Sequence, residues 1–244
     1  MSAAVEARGL VLLEQLLRDR GAIRARIAAG RDLAALTRVM VATIAIAMAV
    51  VGAALGSYRG GVQIAYAAIK LPLVLLGTAA LSAPALTAIG AALGRRARLS
   101  ADLALVITAL AFGALVLVAC VPLLMLGRAL ELPYHRMILA TVAIFGLAGV
   151  ASLRVVVTAL AREAAPGCTS AVAGLCIVFA LVGGQLAWAL RPYLVRPRAT
   201  DVVFVHEVEG SLFDAIGGAL RSAQGIYTRD RAPLPDVDAR EVEP

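Results

Sequence analysis

Lysine is all but missing from this chain: of 23 Lys and Arg residues, only Lys70 is a lysine. The bias toward Ala, Leu, Val and Arg fits GC-rich codons, so the rarity alone carries no functional message. Charge of either sign is also scarce, 16% against 61% hydrophobic residues, which excludes an ordinary soluble domain. Cys120, Cys168 and Cys176 form no CxxC pair and have no histidine nearby to complete a metal tetrahedron, so they read as small buried residues. His135 and His206 lack ligand-like neighbours at metal spacing and read as surface residues. There is no P-loop, GxSxG, HExxH or paired carboxylate in an apolar run. A non-enzymatic protein with no cofactor or metal site is therefore expected. The lack of acids within the runs argues against proton-driven transport more than against a passive pore.

What the chain does contain is length without charge. Uncharged runs cover 39–58, 71–94, 103–127, 137–153 and 164–190, each near or above the roughly 20 residues that cross a bilayer core as a helix. The expected fold is all-α, a polytopic membrane bundle of five transmembrane helices with spans near 38–58, 70–94, 102–127, 136–160 and 168–191. An N-terminal amphipathic helix precedes it and a short C-terminal extramembrane element follows. About 35 mixed, Arg-bearing residues before the first run do not resemble a cleavable signal, so the first span is expected to direct insertion.

Residues 1–36 read as one basic amphipathic helix, with Leu10, Leu13, Leu17, Ile23 and Ile27 on one side and Arg18, Arg20, Arg24, Arg26 and Arg31 on or beside the other. Such a helix binds anionic lipids at a membrane surface or docks on a partner protein. The formal charge of +7 needs no nucleic acid, because arginines at span ends hold loops against headgroups. In the stretch before the second span, Gly60 and Gly61 break the helix and residues 61–69 form an interfacial elbow. Pro72 then starts or bends the span near Lys70, and Pro84 disturbs it again further on. Residues 193–227 carry an amphipathic helix outside the membrane, and 228–244 read as a solvated tail.

Arginine counts place the N-terminus in the cytoplasm. Seven arginines precede the first run, and Arg95, Arg96, Arg98 and Arg162 fall in later inner loops, against Arg59, Lys70, Arg128 and Arg136 in the first two outer loops. Five spans then put the C-terminus outside, although Arg191, Arg196 and Arg198 follow the last span. Arg154 lies 17 residues beyond Met137, about 25 Å along a helix, and snorkels to the opposite interface. Gln185 and Trp188 occupy the last turns of span five, the Trp in the aromatic belt and the Gln able to bridge helices. The Gly52, Gly56, Gly60 and Gly90, Gly94 spacings permit close helix packing within the bundle.

Two stretches, YAAIKLPLVLLGTAALSAPAL at 66–86 and GGQLAWALRPYLVRPR at 183–198 followed by VEGSLFDAI, resemble the bacterial five-span proteins of the Yip domain (Ypt/Rab-interacting) superfamily. The resemblance covers roughly 51–216, falling on Lys70, Leu71 and Pro72, on Pro84, and on Gln185 to Pro192; the chain departs from it after Tyr193, where it reads LVRPR. It implies a five-helix membrane bundle whose eukaryotic members act in vesicle traffic through small GTPases and whose bacterial members have no settled activity; with the missing chemistry, the expected role is a scaffold in a bacterial inner membrane that recruits a membrane-protein partner or a second copy of itself. A channel or passive transporter built by the bundle is the alternative. In this topology Lys70, Glu131, Arg191, Glu207 and Glu209 share the external face. Lys70 is expected to pair with Glu207 or Glu209, docking the C-terminal element on the bundle, or else to snorkel at the span end; Glu131 is the other external acid.

Overall fold

The computed structural model describes residues 3–96, 98–162, 168–190 and 204. Every element among them is helical: α1 (Ala3–Arg18), α2 (Arg20–Ala28), α3 (Leu33–Gly56), α4 (Gln63–Ala92), α5 (Leu99–Ala119), α6 (Val121–Ala129), α7 (Tyr134–Arg162) and α8 (Cys168–Leu190). Five stretches are long and apolar enough to cross a membrane: α3, α4, α5 with α6, and most of α7 and of α8. Residues 193–203, the amphipathic stretch expected in 205–227 and the tail lie outside the described residues.

Local chemistry sets the breaks. Gly60 and Gly61, at φ of 85° and 58°, take the left-handed turn between α3 and α4. Helix resumes at Gln63, so the expected elbow at 61–69 is instead the first two turns of α4. Pro72 lies inside that helix rather than at its start, and Pro84 lies inside it as expected. Each removes one backbone donor, a loss that spans tolerate where neighbouring helices hold them. Here Gln63, Ala67, Lys70 and Leu71 are all buried around that first stretch. Pro122 acts differently: it stands in the first turn of α6, just beyond the break at Cys120, where its missing N–H costs nothing.

Glycines and small residues position the helices. A Cβ on Gly56 would stand 2.5 Å from the Gln63 carbonyl, and one on Gly52 would collide with the Ala67 carbonyl, so α3 and α4 meet backbone to backbone. Gly60, the third member of that spacing, is spent on the turn. The Gly90, Gly94 pair packs no helices together either. Gly94, at φ 85°, ends α4 with Arg95 N–H donating to the Gly90 carbonyl (2.9 Å) and Gly94 N–H to that of Ala91 (3.0 Å), a Schellman closure. α3 packs on α4 and α5, α4 also on α8, and α5 also on α7. The α5–α6 span is central, with 56% of its most apolar window buried against 17% and 11% for α7 and α8. Between α5, α7 and α8 lies a cavity of about 330 Å³ lined almost wholly by apolar side chains such as Leu110, Phe145 and Phe179.

The N-terminal region is two helices, not one. Asp19 leaves the helical path and its carboxylate accepts from Ala22 N–H (3.1 Å), capping α2. Gly30, at φ 68°, closes α2 as Gly94 closes α4, and Arg98 donates to the Ala28 carbonyl (2.9 Å) across the chain. The buried residues are Leu12, Leu16, Ile23 and Ile27, packed with the bundle core, whereas Leu10 and Leu17 are 68% and 55% exposed. The expected stripe through Leu10, Leu13 and Leu17 is therefore the edge of a wider apolar arc. The part of that arc one or two residues along docks on the protein.

Candidate functional site

Successive spans alternate in direction, so the bundle has a lysine end, with Lys70 and the α6–α7 turn, and an arginine end, with Arg95, Arg98 and Arg162. Lys70 is only 2% exposed, because Ala67, Lys70 and Leu71 share the α4 surface that turns inward. Its ammonium lies 4.9 Å from the centroid of the Phe204 ring and 6.0 Å from that of Tyr66. The two rings meet edge to face at 5.0 Å and 79°. Aromatic faces attract a desolvated cation, so this arrangement fastens the chain beyond α8 onto the start of α4. The ammonium is covered rather than projecting into water.

Of the other residues expected at this end, Glu131 and Gln185 fall among the described residues. Glu131 is exposed on the turn between α6 and α7, at φ 51°. Nearby, Tyr58 donates to the Leu132 carbonyl (3.2 Å) and ties the end of α3 to that turn. Gln185 is half-buried in α8, and Trp188 belongs to the same helix. Arg191, Glu207 and Glu209, and with them the carboxylate pairing expected for Lys70, lie outside the described residues.

At the arginine end the structure assembles a cluster that sequence reasoning passed over as loop. Arg95 pairs with Asp102, and the two side chains are 11% and 4% exposed. Thr87 donates to the second carboxylate oxygen of Asp102 (2.7 Å). Gly90 leaves the room for Arg95, whose Nε would stand 3.2 Å from a Cβ at that position. Asp102 lies in the first turn of α5, where the helix dipole favours an anion. The signal was an acid at the head of an apolar run with an arginine seven residues earlier.

A third feature joins α1 and α2 to the bundle. Arg18, Arg20, Arg24 and Arg154 line one cavity of about 740 Å³, with Asp19, Phe112 and Thr158 among its other walls. Arg20 stacks on Phe112 at 4.7 Å from the ring centroid, which fixes its guanidinium. Arg154, expected as an isolated span-end anchor, is thus one of four converging cations. Among the described residues no three His, Cys, Asp or Glu gather as a metal site. No family model matches the chain, and neither curated proteins nor solved structures yield a similar one.

Proposed function

We propose that this multi-pass helical membrane protein is a non-enzymatic scaffold that recruits a membrane-protein partner through its N-terminal helices, as the resemblance to Yip-domain proteins implies. The reading places it in a bacterial cell membrane, N-terminus in the cytoplasm, C-terminus outside. The supporting observation is the way α1 spends its apolar arc. Leu12 and Leu16 are buried in the core, while Leu10, Val11 and Leu17 remain 68%, 51% and 55% exposed. A helix already docked on its own bundle through Leu12 and Leu16 still offers a second apolar edge beside arginines, next to an α2 that is capped by Asp19 and tied at its end by Arg98. Preorganisation of this kind removes part of the ordering cost of binding.

The test is co-purification from native membranes, comparing the wild type with Leu10→Gln/Leu17→Gln, which leaves Leu12 and Leu16 in place. A stoichiometric partner retained by the wild type and lost by the variant is expected. The same set of co-purifying proteins for both, or ion or solute flux through the purified protein in liposomes, would overturn the scaffold in favour of the channel or transporter.

A further inference from the structure

We propose that the cavity lined by Arg18, Arg20, Arg24 and Arg154 is a binding site for the phosphate of an anionic phospholipid whose acyl chains run along the exposed face of α7. This goes beyond partner recruitment and does not depend on it. The cavity, about 740 Å³, is within the ~300–1,000 Å³ that small-molecule sites occupy. Its charge is unbalanced: four arginines face one carboxylate, and Asp19 already accepts from the Ala22 amide. Among the described residues only Arg18 of the four is paired with an acid, Glu14 at 3.6 Å, an exposed contact on the same helix. Guanidinium groups contributed by three helices, α1, α2 and α7, suit a phosphodiester, whose oxygens accept paired N–H donors.

The position of Arg154 argues for a lipid rather than a free anion. Val150, Leu153 and Val157 are 58%, 36% and 39% exposed. On a helix of 3.6 residues per turn they share a surface stripe with Arg154. A guanidinium set in an apolar stripe at membrane depth is costly unless a counter-charge meets it. At about 1.5 Å per residue, Arg154 is roughly 25 Å from Met137, close to the far boundary of a core about 30 Å thick, where headgroup phosphates begin. Basic pockets at that level are a recognised way of holding acidic headgroups.

Native mass spectrometry of the purified full chain in neutral detergent provides the test, with added dioleoylphosphatidylglycerol, dioleoylphosphatidylcholine or inorganic phosphate as probes. One phosphatidylglycerol is expected to bind at least tenfold more tightly than phosphatidylcholine, and Arg24→Gln/Arg154→Gln is expected to weaken it at least tenfold. Arg136→Gln, at the other end of α7, should leave it unchanged. Ala151→Trp fills the cavity wall while keeping every arginine, so it decides the matter if the double variant does not survive purification; it too should lose the lipid. Equal binding of the two lipids, unchanged phosphatidylglycerol binding in the cavity variants, or full displacement by millimolar inorganic phosphate would overturn the lipid site.

Discussion

Replacing Arg95 by Met should be the most damaging single change at the arginine end, and the structure says by how much. Asp102 is 4% exposed, and without Arg95 the Thr87 hydroxyl is the one side-chain donor its carboxylate keeps among the described residues. Breaking a buried pair from one side costs about 3–5 kcal/mol, and the N-terminus of α5 returns about 0.3–1 kcal/mol to the stranded anion, so a loss of about 3 kcal/mol is expected. Asp102→Leu should cost less, about 1 kcal/mol, because Arg95 follows the Gly94 turn and is not held inside a helix, so its guanidinium can swing toward water. The double variant Arg95→Met/Asp102→Leu buries no charge and should lie within about 1 kcal/mol of the wild type. The cycle then shows a coupling of about 3–5 kcal/mol in magnitude, at or above the upper end for contacting residues. Reversible unfolding in mixed detergent–SDS micelles, followed by far-ultraviolet circular dichroism, measures all four proteins. Additivity within about 0.5 kcal/mol, the behaviour of independent sites, would refute the reasoning.

Two further outcomes follow from the packing. Gly56→Leu places a side chain where even a Cβ meets the Gln63 carbonyl at 2.5 Å, so α3 and α4 must separate; overpacking of this kind costs about 1–3 kcal/mol, read by the same unfolding assay, and wild-type stability would refute the close contact. Phe204→Leu removes a ring from the Lys70 ammonium and should cost about 0.5–2 kcal/mol in the wild type but much less in a Lys70→Met background, whereas equal costs in both would show that the ring packs without contacting the cation.

The spans were legible in the sequence because crossing a bilayer demands about 20 apolar residues in a row, a signal that depends on no tertiary contact. Their pairing was partly legible. The Gly52, Gly56 spacing named a packing surface, but the same spacing at Gly90 and Gly94 served a helix end and an arginine's space, and sequence alone treats the two alike. The polar clusters were the least legible. Arg95 and Asp102 stand seven residues apart, one just past the Gly94 closure and the other in the first turn of α5, a separation that by itself names no pair. Arg154 and Arg24 are separated by most of the bundle, and their convergence depends on α1 and α2 folding back along α5. An amphipathic pattern reports that one side of a helix is apolar, not whether lipid or protein covers it. That is why Leu10 and Leu17 read only as the apolar side of the helix, while the residues buried on the protein are Leu12 and Leu16.

Lipid surrounds every span with an environment as apolar as the helices themselves, so burial alone does not choose neighbours for α3, α4 and α5. In this bundle the choice falls to close approach in the middle and to charge at the ends. Gly52 and Gly56 against α4, and Gly113 against Ser152 and Ala148 of α7, set how near the backbones come. The ionic contacts then act on the segments that enter and leave the membrane: Arg95 with Asp102 pins the α4–α5 turn, Arg98 holds α2, and Lys70 holds the chain beyond α8 through Phe204. Around Arg154 one cation, Arg20, makes such a clasp by stacking on Phe112, while among the described residues Arg24 and Arg154 meet no acid, and on that surplus the proposed lipid site rests.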